Sequence, residues 1–156
     1  MAVAEGRNGK ITVQSNSTKH TVAELGNWSI SGISRDMIDY TAFGDTVKKF
    51  KPGMIDGGQI TFSGFYDGSD STGQKALVAA LSSGVAISNT TGRPHKMRLW
   101  ANDDANFDSY GFWSCVGSSG ELYVTSMDLG QDKNGLGTVS FTIKVSKGLL
   151  AWSTST

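Results

Sequence analysis

The sequence predicts a mainly β fold, an antiparallel β-sandwich or open barrel that carries one α-helix. Three observations point there. Charged residues are only 18% of the 156, while Ser, Thr and Gly number 20, 14 and 20, a composition of strands and turns. Several segments alternate apolar and polar residues with a period of two. One stretch has the helical period together with start and stop signals.

In chain order, residues 9–15 place Ile11 and Val13 on one face and Lys10, Thr12 and Gln14 on the other, a half-buried strand. Residues 22–33 hold Leu25, Trp28 and Ile30 among polar neighbours, a second strand with an irregularity near Gly26. Residues 35–57 show no clear period, yet Met37, Ile38, Tyr40, Phe43, Val47, Phe50, Met54 and Ile55 are apolar. A loop of this length between the second and third strands is unusual in a compact domain, and its apolar content asks for a covering surface. Residues 58–66 alternate again, with Ile60 and Phe62 opposed to Gln59, Thr61 and Ser63. The helix follows: Ser71-Thr-Gly-Gln74 reads as a capping box, Leu77, Val78 and Leu81 form the apolar stripe, and Gly84 stands at the C′ position.

Residues 85–88, 96–101, 110–116 and 121–127 read as further strands, the second with Met97 and Leu99 opposed to Lys96, Arg98 and Trp100. Asp132-Lys-Asn134-Gly135 predicts a hairpin turn. It leads into residues 137–146, the most regular strand, with Val139, Phe141, Ile143 and Val145 on one face and Thr138, Ser140, Thr142 and Lys144 on the other. Residues 1–156 are expected to form a single domain.

Composition excludes several functions. The formal charge is zero, so a global nucleic-acid footprint is absent. The lone Cys115 excludes an internal disulfide and a multi-cysteine zinc site. No apolar run suggests a secretory signal or a membrane span. His20 and His95 come without a nucleophile elbow, so no catalytic residue, metal or cofactor is assigned. Asp104-Ala-Asn106-Phe-Asp108 opens like a calcium loop, but Ser109 and Cys115 stand where glycine and glutamate are needed; an Asx-rich turn is the plainer reading. Lys48-Lys49-Phe50-Lys51 reads as a solvated face, a weak nucleic-acid contact or a contact to a neighbouring subunit, and the surrounding apolar residues favour the last. Trp28, Trp100, Trp113 and Trp152 would make a sugar platform only if several shared an exposed face; aromatic residues on strands more often sit in a core or interface.

Two linked stretches carry a resemblance. Trp28-Ser-Ile30-Ser-Gly32 leads to Asp36-Met-Ile-Asp39-Tyr-Thr41-Ala-Phe43-Gly44-Asp45; then come Gly53-Met-Ile55-Asp56-Gly57-Gly58 and Ile60-Thr-Phe62-Ser-Gly64, before the lone helix. This order resembles the major tail tube proteins of long-tailed, siphovirus-like bacteriophages. The resemblance implies a virion protein made in the bacterial cytoplasm that assembles as sixfold rings stacked into a hollow tube. Each subunit would add strands to an inner barrel. Double-stranded DNA would pass through without specific binding, and tape measure, tail terminator and distal tail proteins would be partners. In that family some members append an immunoglobulin-like domain, which is not expected here. The loop at residues 35–57 would reach adjacent subunits and rings, through Asp36, Asp39, Thr41, Phe43, Gly44, Asp45, Lys48, Lys49, Phe50, Met54 and Ile55. Sliding DNA must not be held by rows of lysine or arginine, so an inner wall rich in Ser, Thr, Gln and Asp is expected. The tube of a contractile injection or type VI secretion system and a carbohydrate-binding β-sandwich are the alternatives.

Overall fold

Strands form where the alternation is strongest, because pairing lets each strand turn its apolar positions to one side. A computed structural model describes residues 9–15, 18–22, 25–88, 95–100, 112–115 and 120–153. In order come β1 (Lys10–Ser15), β2 (Thr18–Thr21), β3 (Leu25–Asp39), β4 (Phe50–Phe65), α1 (Gln74–Ser83), β5 (Ile87–Ser88), β6 (His95–Trp100), β7 (Phe112–Cys115), β8 (Glu121–Gly130), β9 (Thr138–Ser146) and β10 (Leu150–Ser153). The fold class is the one the sequence predicts. The Asp104–Asp108 fragment lies outside the described residues, as do the side chains of His20, His95, Trp113, Cys115 and Trp152.

The main wall is the antiparallel run β8-β9-β4-β3. Register sets Ile30, Ile60, Ile143 and Val124 in one cross-strand row, and Trp28, Phe62, Phe141 and Met127 in the next. These rows face the core, where Ile60, Phe62, Phe141 and Ile143 are fully buried and the Phe62 and Phe141 rings stack with centroids 5.5 Å apart. The opposite face of the same strands is polar. Its rows are Ser31, Gln59, Lys144, Tyr123; then Ser29, Thr61, Thr142, Ser126; then Asn27, Ser63, Ser140, Asp128. The irregularity expected at Gly26 is present as a register shift between Leu25 and Asn27.

The short β5 pairs with both β8 and β6 and so links this wall to a second group, β10-β7-β6 with β1 and β2. The sheet then curls on itself. Trp28 Nε1 on β3 donates to the Trp100 carbonyl on β6 at 2.9 Å, although β3 ends the strand order and β6 lies well inside it. Ile11, Val13, Met97 and Leu99 close the core from that side.

Here alternation misleads on two strands, on β1 and on β6, where Trp100, expected opposite Met97 and Leu99, is buried with them. Lys10 and Thr12 are buried as well as Ile11 and Val13, so β1 is covered on both faces. The cause is Trp100, itself fully buried. Its Nε1 donates to Thr12 Oγ1 at 2.9 Å, and Lys10 Nζ lies 5.3 Å from its ring centroid.

Helix α1 buries Leu77 and Ala80, with Val78 and Leu81 partly covered by the core. It ends at Gly84 in the left-handed region (φ +69), as expected, with the Gly84 N–H bonded to the Ala80 carbonyl. Its start corrects the expected capping box. Ser71 is exposed and forms no cap. Asp70 caps instead, one carboxylate oxygen accepting from the Gly73 N–H and the other from the Gln74 N–H, both at 2.9 Å. A carboxylate satisfies two orphan donors where a hydroxyl satisfies one. Gln74 is drawn inward, its amide accepting from the Asp67 N–H and donating to the Phe65 carbonyl. It thus ties the helix start to the end of β4. Asp70→Ala is expected to cost about 1 kcal/mol in urea unfolding, and Ser71→Ala less than about 0.5 kcal/mol; equal losses would contradict this cap.

Candidate assembly site

Residues 35–57 are not a structureless loop. The strands β3 and β4 run on as a paired hairpin through Ile33↔Gly57, Met37↔Pro52 and Asp39↔Phe50, leaving residues 40–49 as the connection. Beyond Gln59, which opposes Lys144, β4 has no second strand beside it among the described residues. Past that point the hairpin is a free arm, roughly 25 Å long at about 3.3 Å per residue. Its strand period was hidden because neither face is buried, so nothing selects an apolar side. A register shift between Arg35 and Met37 scrambles what alternation remains.

Two opposed glycines mark the base of the arm. Gly32 and Gly58 hold φ of +75 and +78, and a Cβ on Gly58 would collide with the Ser31 carbonyl oxygen. The left-handed residues invert the pleat. Gln59 is on the polar face, yet Asp56 is on that face too, its Oδ1 2.7 Å from Lys144 Nζ. Gly57 packs against the core side, where a Cβ would sit 2.7 Å from Val145 Cγ1 and 2.6 Å from the Gly148 oxygen.

The tip holds itself together. Asp39 Oδ1 accepts from the Thr41 N–H at 2.9 Å and from the Thr41 hydroxyl at 2.6 Å. Thr41 Oγ1 in turn accepts from the Lys49 N–H at 2.9 Å, and the Tyr40 N–H bonds the Lys49 carbonyl. Asp45 Oδ2 accepts from the Ala42 N–H at 2.8 Å while its Oδ1 takes Lys49 Nζ at 2.7 Å. Gly44 supplies a positive φ of +96. Farther down, Arg35 Nη1 donates to the Gly53 carbonyl at 3.0 Å, and Lys51 Nζ lies 4.8 Å from the centre of the Tyr40 ring.

What this framework displays is apolar. Met37, Ile38, Tyr40, Phe43, Val47, Phe50, Met54 and Ile55 are all exposed, and Phe43 at the apex is completely so. Contiguous apolar exposure on this scale marks a contact surface. The candidate residues therefore divide into two sets. Asp39, Thr41, Gly44, Asp45 and Lys49 are brought together to build the tip. Phe43, Phe50, Met54 and Ile55 point into solvent, with Lys48 exposed beside them and Asp36 at the register shift. Sequence reasoning missed the Gly32–Gly58 pair and the Asp56–Lys144 contact. The only signal for the first was a glycine inside each apolar-alternating strand.

Electrostatics support the framework. The Thr41 hydroxyl and N–H hold the Asp39 carboxyl below its ordinary value of 3.8. Lys49 and the Ala42 N–H do the same for Asp45, and Lys144 with the Gly58 N–H for Asp56. On the polar wall, the Tyr123 hydroxyl and Lys147 hold Glu121 down.

No protein-family model and no curated protein sequence matches the chain. Solved structures do. A chain in the virion of a native gene transfer agent particle superposes with a TM-score of 0.67 at 16% identity, over 97% of this chain and 99% of that one. The SPP1 tail tube gives a TM-score of 0.61 at 15% identity, over 98% and 81%. The tube-terminating cap of the anti-feeding prophage gives 0.65 at 14% identity, over 99% and 93%. The chain has the tail tube fold. That fold is shared between phage-like tails and contractile injection systems, so it carries the architecture across both. The rival reading as a sugar platform loses two of its four tryptophans: Trp28 is packed against the core and Trp100 is buried.

The depressed carboxylates give the tip a pH dependence. Ionised Asp39 and Asp45 accept bonds in the folded state that they lack when unfolded. Their contribution is complete above the ordinary value of 3.8 and is lost as pH falls through the lower folded-state values. Amide protection factors of Thr41 and Ala42 are expected to drop as pH falls from about 5 towards about 2, relative to core amides such as Ile143. Parallel behaviour of tip and core would contradict the assignment.

Proposed function

We propose that this chain is the subunit of a tail tube: copies associate into sixfold rings, the rings stack, and the resulting bore conducts double-stranded DNA into a bacterial host. The observation that carries the proposal is the arm. It exposes two strand edges that are unpaired among the described residues and nine large apolar side chains, Ile33 included, which identical copies in a closed ring and its stacked neighbour would cover. The chain acts by assembly, without catalysis, and resides in the virion tail. Tape measure, terminator and distal tail proteins complete the assembly in this reading.

The polar face of the main wall suits a bore. Its Ser, Thr, Asn and Gln rows are hydrated and nearly uncharged. Its cations are neutralised in place, Lys144 by Asp56 at 2.7 Å and Lys147 by Glu121 at 3.1 Å. Phosphates therefore meet no free cationic row, and counterion release, which would hold DNA in place, stays small. A tube from a contractile injection system is the second reading, favoured by the likeness to the anti-feeding prophage cap; a copurifying sheath would select it.

Negative-stain microscopy of concentrated protein is expected to show tubes or stacked rings. Phe43→Ser with Phe50→Ser is expected to abolish them while shifting subunit stability by no more than about 1 kcal/mol, since both side chains are exposed. Normal tubes from that variant would contradict the role of the arm. Thr61→Arg with Thr142→Arg is expected to leave tubes intact and slow DNA release from particles. Unchanged release would remove the polar wall from the bore.

A further inference from the structure

A second apolar surface lies at the other end of the same strands. The arm leaves the body where β8 begins at Glu121 and β9 ends at Ser146. At the opposite end, where β4 finishes at Phe65, β8 at Gly130 and β9 starts at Thr138, a cavity of about 220 Å³ opens between α1 and the sheet. Val78, Met127, Val139 and Phe141 line it, and Tyr66 and Leu129 form its lip. The two lip residues are about half exposed, at 48% and 53%.

We propose that the arm tip of one copy seats Phe43 in this cavity of the next copy. The proposal rests on the reading of the chain as a self-assembling subunit, and it names the two surfaces that meet. Three observations favour a second copy as occupant. First, the tip presents one fully exposed aromatic ring on a turn closed by its own hydrogen bonds, so little ordering is left to be done on docking. Second, the charges are complementary. From Asp39 to Lys51 the tip carries Lys48, Lys49 and Lys51 against Asp39 and Asp45, whereas at the cavity Asp67, with Asp70 bonded to it in one turn, stands against Lys75. Third, tip and cavity lie at opposite ends of one sheet. A contact between unlike surfaces of identical copies repeats head to tail, which generates rings and open-ended stacks instead of a closed pair. A tip-to-tip contact would bring the lysines of one copy against those of the other.

Crosslinking tests the seat while keeping Phe43 and Leu129 in place. In a Cys115→Ser background, Ala42→Cys lies next to the anchor and Lys75→Cys lies on the cavity rim. With a short bismaleimide, a chain carrying both is expected to give a ladder of covalent oligomers. An equimolar mixture of the two single variants is expected to give dimers and nothing longer. Leu129→Asp gives a readout without cysteines: the concentration at which tubes appear is expected to rise about tenfold or more, about 1.4 kcal/mol per contact, with the melting temperature little changed. Dimers from Ala42→Cys alone would overturn the head-to-tail seat. So would tubes that form without any 42–75 crosslink, or an unchanged threshold for Leu129→Asp, and both would leave the tube reading standing. An unaltered chain that stays monomeric at every concentration would overturn the seat together with the tube reading.

Discussion

From Gly58 back to Phe50, β4 has only β3 for a neighbour among the described residues, and β3 has only β4. That limit on pairing governs the rest of the molecule. A two-stranded ribbon is marginal in water on its own, and this one also carries its apolar side chains outside. It persists because its far end is bound by Asp39, Thr41, Asp45 and Lys49 and its near end is continuous with the wall, where β4 pairs with β9 from Gln59 to Phe65. Between those anchors the large apolar side chains lie exposed.

The body is built to hold that ribbon at a fixed place. The main wall has one face closed by phenylalanine and isoleucine rows and one face left hydrated. The curl that brings Trp28 to the Trp100 carbonyl fastens β3, the strand that becomes the arm, to the far side of the sandwich. Gln74 fastens the end of β4 to the helix. The strand pair that leaves the sheet is thus held on both strands before it departs. At the point of departure, Gly32 and Gly58 permit a backbone that side chains would forbid.

The parts of this arrangement that were legible in the sequence are those with one dry face. In residues 58–66 and 137–146 burial on one side imposes a period of two, and Ile60, Phe62, Phe141 and Ile143 occupy the core as that period requires. The arm was illegible as strand for the converse reason. Its apolar residues were nonetheless recognised as uncovered, and all remain exposed. In the segment Asp39–Asp45 the polar members Asp39, Thr41 and Asp45 close the turn, while Tyr40 and Phe43 are exposed from it. Ser71 was mistaken for the cap because hydroxyl-x-x-amide patterns are common starts, and Asp70 one residue earlier reaches further. Thr18–Thr21 and Leu150–Ser153 became strands through pairing with β1 and β7, partners that no local pattern reveals.

The central claim is that the arm is completed by identical copies. Hydrogen exchange of the backbone amides between Ile33 and Gly57, compared in dilute protein and in assembled material, addresses it most directly. The account predicts fast exchange at the outward-facing arm amides of the dilute chain and strong protection after assembly, with the core strands unchanged between the two. Equal protection in both states would show that the chain already covers its own arm, and would contradict the account.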